Sequence, residues 1–259
     1  MAGLFGAPSS STATTNALGE LSKDIQLSNP PEDSVSDLAF SPKADYLAVS
    51  SWDKKVRIYE INSSGQSEGR AAFDHDAPVL SCDWSLVGFV FLYRFIHTAD
   101  RVLKDGSKVI GAGADKAARL LDLGSGQTSA IQVAAHDQPI KSVKFFELPN
   151  SNQPMIVTGS WDKTIKYWDL RAQQPVASVQ CQERVYTLDV KKNLLVVGTA
   201  DRYINVINLS EPNKFYKTLQ SPLKWQTRVV SCFSDATGFA VGSIEGRCAI
   251  QYVEEKDAR

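Results

Sequence analysis

Histidine, methionine and cysteine are scarce in this sequence. Its 259 residues include three His, two Met and four Cys. The cysteines form no CxxC pair, and no histidine lies in a metal-ligand or nucleophile motif, so we predict neither a zinc site nor a disulfide framework. Three of the cysteines lie in predicted strands, and we expect the four to be small buried hydrophobic residues. We therefore expect no catalytic residue, no cofactor, no metal and no enzymatic activity.

An excess of charge of either sign is also missing. The chain has 28 Lys and Arg residues against 29 Asp and Glu residues, which gives a net charge of −1. A dedicated nucleic-acid-binding protein usually carries a clear basic excess, so this class is disfavoured, although a local basic patch remains open. Residues 1–20 lack the apolar core of a secretory leader. The sequence therefore predicts a cytosolic or nuclear protein.

What the sequence does contain is a repeat. Its clearest copy, TGSWDKTIKYWDLR at 158–171, consists of an apolar strand, a tight acidic turn and a second strand of alternating polarity. Weaker copies lie at 48–61, 111–123, 197–209 and 241–253. Every copy has an acid in its turn, at Asp53, Asp115, Asp162, Asp201 and Glu245.

The spacing of the turn acids indicates the architecture. Successive acids are 62, 47, 39 and 44 residues apart, and three of these gaps are close to the period of roughly 40–45 residues of a WD40 propeller blade. No stretch shows a sustained helical period, and one hairpin of this kind cannot bury its own apolar face. The sequence therefore predicts an all-β fold, a WD40 β-propeller with five blades.

The first gap is too long, and residues 86–103 account for the excess. A strand is predicted upstream of each acid, at Val35–Pro42, Val79–Ser85, Ile140–Phe146, Arg184–Val190 and Val229–Asp235. In the second copy, removal of 86–103 joins this strand to a polar Asp-Gly turn and a further strand, and the gap falls to 44 residues. We therefore interpret 86–103 as an insertion into a regular blade.

The inserted segment is apolar and aromatic. Its stretch LVGFVFLYRFI, interrupted by Arg94, is too short to span a bilayer. If it were exposed, it would form a sticky patch. Our hypothesis is a translated retained intron or a wrongly assigned exon, which would make this sequence a splice variant or fragment. The alternative is a hydrophobic loop that binds a partner.

Residues 1–30 are predicted to form a disordered tail, because they show low hydrophobicity and no period. The tail contains one GLFG sequence at 3–6, which matches the cohesive repeat of nuclear-pore proteins, but chance composition explains a single copy. The partial propeller is then expected to cover 31–259.

A hydrogen-bonded chain of side chains is expected to hold each blade together. In the third copy, His136, Thr158, Asp162 and Trp168 have the spacing of this chain in WD40 blades. A buried imidazole and a buried indole N–H each need a partner, which the carboxylate and the hydroxyl supply.

The first copy contains partial equivalents, namely His75 and Asp53, with Tyr59 in place of the tryptophan. A Ser-His-Asp catalytic site could in principle be assembled from such residues, but every candidate already has a structural role. The residues that we assign to blade structure are His75, Asp53, Asp115, His136, Thr158, Asp162, Trp168 and Asp201.

Four segments are similar to one family well beyond the general repeat. They are NPPEDSVS at 29–36, SWDKKVRIY at 51–59, GAGADK at 111–116 and GSIEGR at 242–247. On these residues, the chain resembles the WD-repeat mRNA export factors that associate with nuclear pores, in a plant-like form. The resemblance covers residues 30–85 and 104–259.

The resemblance implies a seven-bladed scaffold that helps messenger RNA leave the nucleus. It implies binding to a helical-hairpin motif of a nucleoporin, contact with single-stranded RNA, and a role at the mitotic spindle. It also implies a place in the nucleus, at the nuclear envelope and pore, and in the cytoplasm. Because five repeats are present, we expect an incomplete propeller with open sheet edges where the ring would close.

Two other functions in protein assembly are open. The mitotic-checkpoint WD protein is a relative with a similar SIEGR-type strand. Separately, Trp168, Asp169 and Arg171 match the WDxR pattern of substrate receptors for cullin-4 ubiquitin ligases. There the Arg presents a cation to an acidic adaptor while Trp and Asp hold the blade. The structural alternative is an ordinary blade that ends in Arg.

Direct nucleic-acid binding is the last alternative. The later repeats carry several cations, and their structural explanation is ordinary solvated surface. The candidates are Lys191, Lys192, Arg202, Lys214, Lys217, Lys224 and Arg228. If they bind nucleic acid, affinity should fall steeply with salt.

Overall fold

The structure, a computed structural model, describes residues 24–85, 106–149 and 154–254. In these residues the regular structure is β-strand, apart from two short 3₁₀ turns at Leu123–Ser125 and Ala200–Arg202. This part of the chain contains no helix that is long and apolar enough to cross a membrane. The prediction of an all-β fold is confirmed.

Nineteen strands form five antiparallel sheets, one for each copy of the repeat. The first sheet contains β1 (Val35–Phe40), β2 (Tyr46–Ser51), β3 (Lys55–Ile61) and β4 (Ser67–Asp74). The second contains β5 (Val79–Trp84), β6 (Lys108–Gly113), β7 (Ala117–Asp122) and β8 (Ile131–Ala135). The third contains β9 (Ile140–Glu147), β10 (Pro154–Ser160), β11 (Thr164–Asp169) and β12 (Ala177–Gln180). The fourth contains β13 (Val185–Lys191), β14 (Leu194–Thr199), β15 (Tyr203–Asn208) and β16 (Lys217–Gln220). The fifth contains β17 (Thr227–Cys232), β18 (Gly238–Ser243) and β19 (Cys248–Tyr252).

The first strand of each sheet is its inner strand, and the inner strands of successive sheets are neighbours. β5 lies beside β1, β9 beside β5, β13 beside β9 and β17 beside β13. β1 and β17 share no hydrogen bond, so the five described sheets form an open arc. Leu38 and Phe40 on β1 and Val229 on β17 are exposed at the two ends of this arc. The prediction of a five-bladed, incomplete propeller is confirmed.

The interpreted insertion at 86–103 lies outside the described residues, but the strands on either side of it pair directly. The Ser85 amide donates to the Lys108 carbonyl at 3.0 Å, and the Lys108 amide donates to Ser85 Oγ at 3.2 Å. β5 and β6 therefore form a closed hairpin up to the point where the extra residues begin. This geometry is compatible with an insertion, which stays a prediction.

Residues 24–30 were assigned to the tail, yet part of this stretch contacts the first sheet. The Ser28 amide donates to Ser67 Oγ at 2.7 Å, and the Tyr59 hydroxyl donates to the Asn29 carbonyl at 2.8 Å. Leu27 packs against the cluster around Tyr59. The rest of the tail, residues 1–23, lies outside the described residues.

Apolar side chains fill the space between successive sheets. On one face of the third sheet, Val157 and Ile165 pack with Leu188 of the fourth. On its other face, Ile156 and Trp168 pack towards the second sheet. Because successive residues of a strand point to opposite faces, a sheet that is covered on both sides needs continuous apolar strands. This explains why the middle strands are the most apolar part of each repeat.

The four cysteines are free, and their burial differs. Cys82 and Cys181 are buried and Cys232 is half-buried, and burial raises the pKa of the Cys181 thiol to about 12. Cys248 is exposed on β19, at the open end of the arc. The prediction of a buried cysteine is therefore wrong at this position.

Side chains of one inner strand accept hydrogen bonds from the backbone of the next. An inner strand has backbone N–H groups on its free edge, and buried N–H groups need acceptors. Carboxylates and hydroxyls of the preceding inner strand supply them. The bonds run from Cys82 N to Asp37 (3.2 Å), Val143 N to Ser81 (3.4 Å), Phe145 N to Asp83 (2.8 Å), Val230 N to Thr187 (3.2 Å) and Cys232 N to Asp189 (2.7 Å).

One of these acceptors also forms an ion pair between sheets. Asp83 Oδ1 lies 3.1 Å from Lys144 Nζ, so the pair joins β5 to β9. Burial raises the pKa of Asp83 against the opposing effect of Lys144. Burial alone would lower the pKa of Lys144, but the carboxylates of Asp83 and Asp37 raise it above its ordinary value. Each charge is therefore tolerated because the other is present.

Removal of one partner of this ion pair should destabilise the protein. Lys144→Met keeps the aliphatic stem but leaves the Asp83 carboxylate without its counter-ion, which costs about 3 kcal/mol for a buried pair. The double variant Asp83→Asn/Lys144→Met keeps an acceptor for the Phe145 amide and should recover part of the loss. The free energy of unfolding in urea measures both effects. A single variant as stable as the unmodified chain would contradict this account.

Candidate partner-binding face

The acidic turns join the second and third strands of the sheets, and the acid shapes the turn. The carboxylate of Asp162 accepts the Thr164 amide at 2.9 Å, and that of Asp53 accepts the Lys55 amide at 3.2 Å. An aspartate that bonds the backbone two residues on closes a tight turn. The residue after the acid then adopts a left-handed conformation, with φ of 69° at Lys54 and 68° at Lys163.

The third sheet contains the complete chain of side-chain hydrogen bonds. His136 Nδ1 lies 2.8 Å from Asp162 Oδ2, and His136 Nε2 lies 2.7 Å from Thr158 Oγ1. Trp168 Nε1 donates to the same hydroxyl at 2.8 Å. Burial lowers the pKa of His136, and a neutral imidazole that donates from Nδ1 and accepts at Nε2 satisfies every partner. The structure thus brings together the four residues that the sequence placed in this chain.

The second sheet contains a shorter chain of side-chain hydrogen bonds, and its histidine contacts a different acid from the one expected. His75 Nδ1 lies 3.0 Å from Asp115 Oδ2, so the histidine that the sequence placed with Asp53 in the first copy contacts the turn acid of the second copy. The histidine follows the last strand of one sheet and hydrogen-bonds the turn acid of the next sheet. Gly111 lies against His75 Nε2, where the third sheet has a threonine. Asp53 is held instead by Arg57, at 2.6 Å.

In the fourth sheet a cysteine replaces the histidine that would contact the turn acid. The amide of Cys181 donates to the Lys163 carbonyl at 2.7 Å, which is the position that His136 occupies one sheet earlier. Asp201 is exposed, has φ of 58°, and forms no hydrogen bond to another described residue. Buried Asn205 instead binds Gln182 at 3.0 Å. This substitute could not be predicted from the sequence, because amide side chains have no fixed place in the repeat.

A β-bulge recurs at one position of every inner strand. In each sheet the pairing register shifts at the second residue of this strand, so that residue has no partner across the ladder. A bulge redirects the side chain of the extra residue. The bulged residues are Ser36, Leu80, Lys141, Tyr186 and Arg228. Sequence reasoning missed them because their side chains share no chemical property.

The bulges and the acidic turns lie at the same end of the sheets. In every sheet the residue before the turn acid donates its amide to the carbonyl two positions before the bulge. These donors are Trp52, Ala114, Trp161, Ala200 and Ile244. We call this end the turn face and define it as these five residues, the five bulged residues and Lys224-Trp225 before β17. It combines aromatic and cationic side chains, and the described chain contains no cluster of His, Cys, Asp or Glu that could hold a metal.

Comparison with known proteins agrees with this architecture. The family described as WD domain, G-beta repeat matches residues 25–60 and 128–169. "mRNA export factor GLE2" of Chaetomium thermophilum is 62% identical over 99% of this chain and 66% of its own length. "Poly(A)+ RNA export protein" of Schizosaccharomyces pombe is 51% identical over 98% of this chain and 66% of its own. "Protein Rae1" of Drosophila melanogaster is 39% identical over 96% of this chain and 66% of its own.

The chain belongs to the WD-repeat mRNA export factor family. The family prediction is thereby confirmed. The chain spans slightly less than two thirds of the length of these three relatives. The similarity nevertheless extends over almost the whole of the present chain, including both ends of the described arc.

In this chain, the WDxR residues lie away from the turn face. Trp168 is 3% exposed and donates to Thr158, so its side chain has a structural role. Arg171 is exposed but forms a two-point contact with the Asp169 carboxylate, at 3.0 and 2.7 Å. An adaptor would have to displace Asp169 from this contact. Among the three residues of the ligase hypothesis, Arg171 is the one whose charged group is at the surface.

The seven cations of the nucleic-acid alternative do not form one patch. Lys191 and Lys192 lie at the β13–β14 hairpin, which is at the end of the sheet opposite the turn face. Lys214 forms an ion pair with Glu211 near the β15–β16 hairpin, where Lys217 begins β16. The remaining three cations lie on or beside the turn face, and they are Arg202, Lys224 and Arg228.

Replacement of Asp115 should make the free energy of unfolding depend less on pH under acidic conditions. Although burial opposes it, the hydrogen bond from His75 lowers the pKa of Asp115 to about 2 in the folded chain. An unfolded aspartate has a pKa of about 3.9. The carboxylate therefore contributes stability above about pH 4 that is lost as the pH falls through about 2, and Asp115→Asn removes this dependence.

Urea unfolding at several pH values between 6 and 3 measures the slope of the free energy of unfolding against pH. Asp201→Asn is the matched control, because Asp201 occupies the equivalent turn without a hydrogen-bond partner in the described residues. We expect the control to keep the slope of the unmodified chain. Equal slopes for Asp115→Asn and the control would contradict the role of the His75–Asp115 contact.

Proposed function

We propose that this chain is a non-enzymatic scaffold in nuclear mRNA export that binds a nucleoporin segment across its turn face. The names of its relatives support the export role. We also propose that it acts in the nucleus and at the nuclear pore, reaches the cytoplasm during export, and contacts spindle components in dividing cells.

The observation that carries the nucleoporin proposal is the apolar character of the turn face. Trp52, Trp225 and Ile244 are 52%, 50% and 58% exposed. Trp225 and Ile244 lie at the same end of the fifth sheet, and Trp52 occupies the equivalent turn of the first sheet. Large exposed apolar side chains mark protein-interaction sites, and tryptophan is among the residues that contribute most binding energy. A peptide hairpin that places apolar side chains on this face would bury them without any change in the sheets. The backbone beneath them is fixed by the hydrogen bonds between turn and bulge.

Substitution of an exposed turn-face residue should weaken nucleoporin binding and leave folding intact. For Trp52→Ala we expect affinity for a synthetic nucleoporin hairpin segment to fall at least about tenfold. Isothermal titration calorimetry with the full chain measures this, and the thermal midpoint reports folding. The matched control is Val176→Ala, which removes a side chain that is 61% exposed at the β11–β12 hairpin, at the opposite end of the sheets. Equal losses in both variants would remove the turn face from the proposal.

Contact with single-stranded RNA is a second proposal, and a specific contact on the turn face favours it. Lys224 Nζ lies 5.8 Å from the centroid of the Trp225 ring, and Arg202 and Arg228 lie nearby along the same face. Single-stranded nucleic acid binds proteins through stacking on aromatic rings beside cations that follow the backbone.

A stacked base should make RNA affinity depend on both Trp225 and salt. We expect Trp225→Ala to weaken binding of an oligouridine about tenfold, in line with the usual energy of one stacked base. Affinity should also fall steeply between 50 and 200 mM salt, since each phosphate contact releases counter-ions. Fluorescence anisotropy measures both. Retention that is insensitive to salt, or no binding at low salt, would contradict the proposal.

A further inference from the structure

The bulges direct five side chains to the inner edge of the arc, at the turn face. The inner strands are neighbours in sequence order, so the bulged residues follow one another around the propeller axis. Two of the five are cations, Lys141 on β9 and Arg228 on β17, and Tyr186 on β13 lies between them. We call these three residues the axial triad. β13 contacts both β9 and β17, so Tyr186 lies between the two cations along the inner edge of the arc.

The two cations influence each other, and their positive charge is poorly compensated. Burial, followed by the charge of Arg228, lowers the pKa of Lys141. The opposing carboxylate is that of Asp37. This carboxylate already accepts the amides of Leu38 at 2.9 Å and Cys82 at 3.2 Å, and the Ser81 hydroxyl at 3.0 Å. Its hydrogen-bonding capacity is thus used largely in joining β1 to β5.

The donor groups of the axial triad are nearly unused. The Lys141 ammonium donates to the Leu80 carbonyl at a long 3.5 Å. Neither the Arg228 guanidinium nor the Tyr186 hydroxyl forms a hydrogen bond or ion pair with any residue in the described part of the chain. A half-buried ammonium beside a second cation costs free energy unless an anion is near. The fold nevertheless places both cations at successive bulges.

We propose that the axial triad binds a phosphate group at the inner edge of the arc, at the turn face. A phosphate dianion matches two cations in charge, and its oxygens can accept from the ammonium, the guanidinium fork and the phenol at once. A carboxylate offers one negative charge and two oxygens, which leaves one cation uncompensated. The site shares Arg228 with the proposed RNA surface, but binding of inorganic phosphate requires neither the nucleoporin nor single-stranded RNA, so the two proposals can fail separately.

Titration of inorganic phosphate into the full chain tests the site. Calorimetry at fixed ionic strength, in a buffer without phosphate, should show saturable binding of one phosphate per chain. Lys141→Met and Arg228→Gln should each weaken it at least about tenfold, since each removes one charge-assisted hydrogen bond. Tyr186→Phe should weaken it less. Lys191→Met, at the opposite end of the fourth sheet, should leave it unchanged.

Titrations with other ligands identify the source and the chemistry of the anion. Adenosine monophosphate should bind at least as tightly as inorganic phosphate if the site accepts a phosphate carried on a nucleotide. Weaker binding of the nucleotide would instead assign the site to free phosphate. Equal binding of adenosine and adenosine monophosphate, or of acetate and phosphate, would overturn the phosphate assignment. So would the absence of saturable binding, or equal affinity in the unmodified chain and in folded Arg228→Gln, whose substitution is at an exposed position.

Discussion

The free edge of each inner strand is the constraint on which this structure depends. A row of backbone N–H groups must be satisfied where two sheets meet, although the sheets themselves share no ladder. Carboxylates and hydroxyls of the preceding strand satisfy them, as Asp83 does for the Phe145 amide and Asp189 for the Cys232 amide. Each sheet is thus positioned by polar bonds near the axis and by apolar packing farther out. The polar bonds and the apolar packing both depend on the strand register. Polar side chains are needed on the inner strands because they accept the hydrogen bonds that join one sheet to the next.

The same register produces the surface on which function is proposed. The bulge at the start of each inner strand takes one residue out of the ladder, and the hydrogen bond from the pre-acid amide fixes the turn above it. The backbone at the turn face is therefore uniform, while the exposed side chains differ from sheet to sheet. The set of side-chain hydrogen bonds beneath it varies from the complete His136 arrangement to Asp201, whose carboxylate has no partner among the described residues. A rigid scaffold with variable side chains is suited to non-covalent binding of an extended partner.

The sequence predicted the features whose residue pattern repeats and missed those whose residues differ from copy to copy. Four of the five inner strands begin within one residue of their predicted starts, because apolar runs beside acidic turns are periodic. The fifth begins at Thr227 rather than Val229, since a polar Thr-Arg pair gives no strand signal. The sequence places His75 with Asp53 in the first copy, because sequence proximity does not show that a histidine binds the turn acid of the next sheet. The bulges carry unlike side chains, so no residue pattern marks them.

The central functional claim is that partners bind across the turn face. Hydrogen–deuterium exchange of the full chain, with and without a nucleoporin hairpin segment, tests it most directly, since it reports protection along the whole backbone. We expect new protection in peptides that cover 51–55, 160–163, 224–228 and 243–246. Protection concentrated instead at the opposite hairpins, around 191–194 and 170–177, would contradict it.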